Sequence, residues 1–156
     1  SYAAAESHGI EAVIKASEKK DAGRDKSLLD SVPSGLPSLH RAYMISEKVG
    51  RAGFDWDHMS GVTEKVEEEW RELAEAIASG DKEQIELEFG VLLFTLTNVA
   101  RFADIHPETA LAASVRKFEA RYRHMEQRRA EAETLLSALS PEEKDRLWEK
   151  AKKDTK

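Results

Sequence analysis

The sequence contains no cysteine, which excludes disulfide staples, thiolate metal ligands and thiol nucleophiles and makes the cytoplasm the simplest compartment. Four prolines and eight glycines in 156 residues are too few for a low-complexity chain and leave room for long helices. No apolar run reaches the roughly 20 residues that cross a bilayer. The opening stretch SYAAAESHGIEAV lacks a basic start followed by an apolar core, so no secretory signal is visible in it. Positive charge is also in deficit, 24 Lys and Arg against 30 Asp and Glu, which argues against a DNA- or RNA-polymer binder or an anionic-membrane binder. The five histidines are scattered. There is no His-Glu-x-x-His helix, no Gly-rich phosphate loop ending in Lys-Ser/Thr and no dinucleotide glycine fingerprint.

What remains is 40% hydrophobic and 35% charged residues, the composition of one mostly helical globular unit with charged outer faces. A short helix is expected near Ala4–Lys20. The charged KKDAGRDKSLLDSVPSGLPS that follows is broken by Pro33, Gly35 and Pro37, so residues 1–31 read as linker-like. A helical domain is expected over 32–137, with a short C-terminal helix in 138–156. Within the domain, Leu39, Ala42, Tyr43, Ile45, Val49 and Ala52 recur at helical spacing after Pro37, with Gly53 ending that helix. Val62, Val66, Trp70, Leu73 and Ile77 mark a second helix ending at Gly80. Asp81 caps a third that runs to about Asp104, and Pro107 opens a fourth reaching roughly Leu136. Ser140-Pro-Glu-Glu143 reads as a capping box for the last. The fold class is all-α.

The run ELEFGVLLFTLTNVARF places Glu88 inside a segment otherwise suited to a core, where an ionised carboxylate is costly without a partner. Glu88, Val91, Thr95 and Asn98 form one line down this helix. On the preceding helix Glu69 and Glu72 lie one turn apart, with Glu68 turned further toward water. A hairpin through Ser79-Gly80-Asp81 brings Glu69 and Glu72 against the Glu88 seam, where three carboxylates repel one another unless a cation intervenes. Hard oxygen ligands in a partly open site suit Mg²⁺. An acidic run alone is more often a solvated face, and Glu88 in the apolar helix is what brings the metal reading level with it. Lys117, Arg121 and His124 share a face of a locally basic stretch, which serves either as a phosphate-binding row or as solvated surface. Trp56, in GFDW, can pack on a base or plug the core, and the core reading is the stronger for an aromatic bounded by glycine. Trp56 and Asn98 are the candidates for a base pocket.

GLPSLHRAYMISEKVGRAGFDW, EKVEEEWREL, ELEFGVLLFTLTNVARF and KFEARYRHME, in that order and spacing, resemble the MazG family of nucleoside triphosphate pyrophosphohydrolases over about Asp30–Glu126. The family pattern is Glu-Glu-x-x-Glu followed by Glu-x-x-Asp. Its first half is matched by Glu68, Glu69 and Glu72, and its second by Glu88 alone. The final Asp falls at Val91, and a usual Asn falls at Val115. The early segment is similar to the linker before the second half of two-domain members, so the chain looks like that C-terminal half or a derivative of it. The resemblance implies a helical bundle completed by homodimerisation around Mg²⁺, with Mn²⁺ as a substitute. It also implies cleavage of nucleoside triphosphates to monophosphate and pyrophosphate. Glu69, Glu72 and Glu88 then serve as metal and catalytic residues, and Lys117 and Arg121 as phosphate ligands. Val91 and Val115 leave two other readings open: a nucleotide-binding or dimerisation domain with weak or no turnover, and a helical interaction module unrelated to nucleotides.

Overall fold

A computed structural model describes residues 27–156; the short helix expected near Ala4–Lys20 lies outside the described residues. These form a 3-10 turn, Leu28–Ser31, followed by α1 (Ser38–Arg51), α2 (Met59–Ser79), α3 (Lys82–Phe102), α4 (Pro107–Glu131), a second 3-10 turn (Leu136–Ala138) and α5 (Pro141–Asp154). No strand occurs among the described residues, so the all-α expectation holds. The chain divides after Pro107 into two compact units.

In the first unit, α2 and α3 form an antiparallel hairpin and α1 packs on α3. The hairpin turn follows from two residues. Gly80 adopts φ +73°, where a side chain would be strained, and its N–H returns to the carbonyls of Ala76 and Ile77. Asp81 then accepts the N–H groups of Glu83 and Gln84 and starts α3. Gly53, at φ +96°, turns the chain out of α1 in the same way.

The faces of α3 are distributed unexpectedly. Its buried residues are Glu88, Thr95, Thr97, Asn98 and Ala100, whereas Leu87, Phe89, Leu93, Phe94 and Leu96 are exposed, Leu87 by 58%. The polar side is turned inward. It is tolerated there because the threonine hydroxyls donate to the carbonyls one turn back, Thr95 to Val91 at 3.0 Å and Thr97 to Leu93 at 2.9 Å. The α2 stripe divides similarly: Val62, Leu73 and Ala76 are buried, but Trp70 and Ile77 are exposed.

The loop between α1 and α2 is fixed by a clamp from α3. Arg101 donates to both carboxylate oxygens of Asp55, at 2.7 and 2.6 Å, and to Asn98 Oδ1 at 3.0 Å. Asn98 donates its Nδ2 to the Phe94 carbonyl at 3.1 Å. A Cβ at Gly50 would lie 2.9 Å from Asp55 Oδ2 and 3.1 Å from Arg101 Nη1, so the clamp needs glycine there.

In the second unit α4 ends at Glu131, five residues before Leu136. No glycine or proline marks the stop; Glu133 takes φ 53° and the Thr134 N–H returns to the Arg129 carbonyl. The capping box of α5 forms, with Ser140 accepting the Glu143 N–H and Glu143 accepting the Ser140 N–H. Helices α4 and α5 meet through Phe118 and Trp148, 5.4 Å between ring centroids, and through Asp154, whose Oδ2 lies 3.1 Å from His124 Nε2 and accepts from Arg128 at 3.3 Å.

The hydrogen-bonded Arg101 guanidinium holds the Asp55 carboxyl below the ordinary aspartate range. A depressed value means that the pair contributes its full stability above the unfolded-state pKa of roughly 4 and loses it as pH falls through the folded-state value. Asp55→Asn should therefore lower unfolding free energy by roughly 1–3 kcal/mol at neutral pH, with the gap to the parent closing below about pH 4 in urea denaturation. Gly50→Ala should cost a similar amount and, because both changes open one clamp, the double variant should cost little more than either.

Candidate metal centre

The hairpin gathers the three carboxylates expected from the sequence. Glu69 and Glu72, three residues apart on α2, and Glu88 on α3 each bring an oxygen within 4.8 Å of the others. Glu69 is only 3% exposed and Glu88 is 9% exposed, while Glu72 faces solvent. The site thus has two fixed walls and an open mouth. Hard oxygen donors in this arrangement, with one side accessible to water, fit a divalent cation of the magnesium or manganese type.

Each buried carboxylate has a local partner. Gln84, one turn before Glu88, donates its Nε2 to Glu88 Oε1 at 2.6 Å. Lys65, one turn before Glu69, places its Nζ 2.7 Å from Glu69 Oε1 and 3.2 Å from Glu68. Glu72 has neither, and the charge of Glu69, then desolvation, then the charge of Glu88 push its pKa up. That direction is the mark of carboxylates crowded without enough positive charge. Val91, one turn beyond Glu88, is half-buried and its side chain offers no oxygen.

The remaining candidates fall into two further groups. In the first unit, Trp56 is 37% exposed and follows Asp55, whose Oδ1 accepts the Trp56 N–H at 3.0 Å. Asn98 is buried, with its amide taken up by Arg101 and the Phe94 carbonyl, so the two are linked through the Arg101–Asp55 clamp. In the second unit Lys117 and Arg121 lie one turn apart on α4. Lys117 is exposed, and the half-buried Arg121 guanidinium sits 5.6 Å from the centre of the Trp148 ring. Val115 belongs to an exposed apolar stripe on α4 with Leu111, Phe118 and Tyr122.

Sequence reasoning missed Lys65, Gln84, Arg101 and Trp148 as supports of these groups. Two of them carried a readable signal, since Lys65 and Gln84 stand four residues before Glu69 and Glu88, the spacing at which helical side chains meet.

Comparison with known proteins matches residues 59–126 to the MazG nucleotide pyrophosphohydrolase domain. The chain is 41% identical over 140 residues to the nucleoside triphosphate pyrophosphohydrolase/pyrophosphatase MazG of Thermotoga maritima, an alignment covering 89% of this chain and 52% of that protein. It is 33% identical over 129 residues to the nucleoside triphosphate pyrophosphohydrolase of Escherichia coli (strain K12), covering 81% and 49%. To the protein YabN of Bacillus subtilis it is 40% identical over 140 residues, covering 89% and 28%. The chain spans about half the length of the first two relatives. The matched segment runs from the first turn of α2 into α4 and contains Glu69, Glu72, Glu88, Lys117 and Arg121, and with these similarities the chain belongs to the MazG family of nucleotide pyrophosphohydrolases.

Proposed function

We propose that the chain is a Mg²⁺-dependent nucleoside triphosphate pyrophosphohydrolase, acting as a homodimer in the cytoplasm and slowed by Val91. The observation that carries this reading is the convergence of Glu69, Glu72 and Glu88 within 4.8 Å across the α2–α3 hairpin. Glu69, Glu72 and Glu88 would hold Mg²⁺, or Mn²⁺ in its place, and the ion would supply charge neutralisation at phosphate oxygens and acidification of water. Glu72, exposed at the open mouth, is assigned to accept the proton of an attacking water. Water adds at phosphorus, the bond between the α and β phosphoryl groups breaks, and nucleoside monophosphate and pyrophosphate leave. Lys117 and Arg121 are assigned to phosphate oxygens, with Trp148 restricting the Arg121 guanidinium. Trp56 is assigned to the base by stacking, and Asn98 supports it through the Arg101–Asp55 clamp.

The second reading, a nucleotide-binding or dimerisation domain with little turnover, is favoured by Val91. A carboxylate missing next to Glu88 removes a ligand and costs on the order of several kcal/mol of transition-state stabilisation, each 1.36 kcal/mol being about tenfold in rate. Val91→Asp should raise Mg²⁺-dependent pyrophosphate release by at least roughly tenfold in a coupled assay over a nucleotide panel, with Val91→Asn gaining much less. Brisk hydrolysis by the parent, unchanged in Val91→Asp, would sink this account.

The exposed face of α3 supports the dimer reading. Leu87, Phe89, Leu93, Phe94 and Leu96 form an apolar surface that the described residues leave exposed, and a second copy presenting the same helix is its natural complement. Light scattering at low micromolar concentration should give twice the chain mass, and Leu93→Glu should shift it toward the monomer. A well-folded monomer for the parent is the result that removes the assembly from this reading.

A further inference from the structure

The carboxylate cluster already contains a cation of its own. Lys65 reaches back along α2 so that its ammonium is 2.7 Å from Glu69 and 3.2 Å from Glu68, while its side chain stays 36% exposed. Glu69 is buried, and a carboxylate removed from water without a partner is strongly disfavoured in its charged form. Glu88 has only a neutral amide from Gln84. Among the described residues Lys65 is the one basic group paired with Glu69, Glu72 or Glu88. A divalent cation entering among these carboxylates meets the ammonium as a like charge and shares Glu69 with it.

We propose that Lys65 is a positioning residue of the metal centre: a built-in counter-cation that holds Glu69 in place in the metal-free chain and competes with the divalent ion for it, setting the concentration at which the site fills. The inference rests on the metal reading given above. Its physical basis is the separation of charges. A divalent ion and an ammonium a few ångströms apart in a solvent-accessible site repel by enough to change affinity roughly tenfold, and salt screens the effect. A lysine that served only as a surface pair would leave metal affinity alone. A lysine that organised the ligands for the ion would strengthen binding, so its removal would weaken it.

The test is a Mn²⁺ titration of the full chain, following the paramagnetic resonance signal of the free ion at low and high salt, together with thermal unfolding in the absence of metal. Lys65→Met should bind Mn²⁺ roughly tenfold more tightly at low salt, and the gain should shrink at high salt. Its metal-free midpoint should fall below that of the parent, and saturating Mn²⁺ should close the gap. Lys65→Arg, which keeps the charge, should stay close to the parent in both measurements. If Lys65→Met binds Mn²⁺ as the parent does, or more weakly, while Glu88→Gln loses affinity, the counter-cation role is overturned and the metal centre stands. If Glu88→Gln binds as the parent does, the metal centre itself is overturned and the role of Lys65 with it.

Discussion

Repulsion among three carboxylates across one helical hairpin is the constraint around which the first unit is arranged. Two of them, Glu69 and Glu88, are buried, and all three have oxygens within 4.8 Å of one another. Like charges this close oppose the packing that brings them together, so the hairpin must hold them by other means. The left-handed Gly80 and the Asp81 cap set the register of α3 against α2. A slip of one residue would swing Glu88 by about 100° off the seam, and a slip of one turn would carry it about 5.4 Å along α2. Gln84 and Lys65 each stand one turn before a buried carboxylate and satisfy it locally, which leaves the least-shielded charge, on Glu72, at the mouth.

The same helix carries a second constraint. With Glu88, Thr95, Thr97 and Asn98 inward, α3 presents its leucines and phenylalanines outward, an arrangement that weakens the isolated unit because apolar area is left in water. A partner covering that face would recover this area and stiffen the helix that holds Glu88. Assembly and site formation are then coupled through one element, since whatever fixes the outer side of α3 fixes the position of the seam on its inner side.

Local chemistry was the legible part of the sequence. The Gly80 stop, the Asp81 cap, the Ser140 capping box and the line from Glu88 to Asn98 all depend on residues within a turn or two of one another, and all appear as expected. The apolar stripes were legible as helices but not as cores. Periodicity shows that an α3 face is apolar and does not say whether that face meets the same chain or another. The Asp55–Arg101 clamp joins positions 46 apart, and no spacing rule connects them. The end of α4 was missed because Glu133 takes a left-handed conformation without the glycine that normally announces one. Lys65 was lost in a run of charges that reads as solvated surface; only the burial of Glu69, fixed by tertiary packing, turns it into a paired group.

Val91 and Lys65 act on the same quantity. A fourth carboxylate one turn beyond Glu88 would add another charge to a cluster that already pushes up the pKa of Glu72, and the metal-free chain would carry the cost. Valine removes that charge, and Lys65 offsets one of the three that remain. The Lys65 ammonium is shared between Glu69 and Glu68, so the cluster keeps an excess of negative charge. Valine at this position therefore favours the metal-free chain, and would leave a divalent ion one carboxylate fewer. Stability and ligation are set against each other at one position of α3, as expected where a functional site is assembled from groups that would otherwise repel.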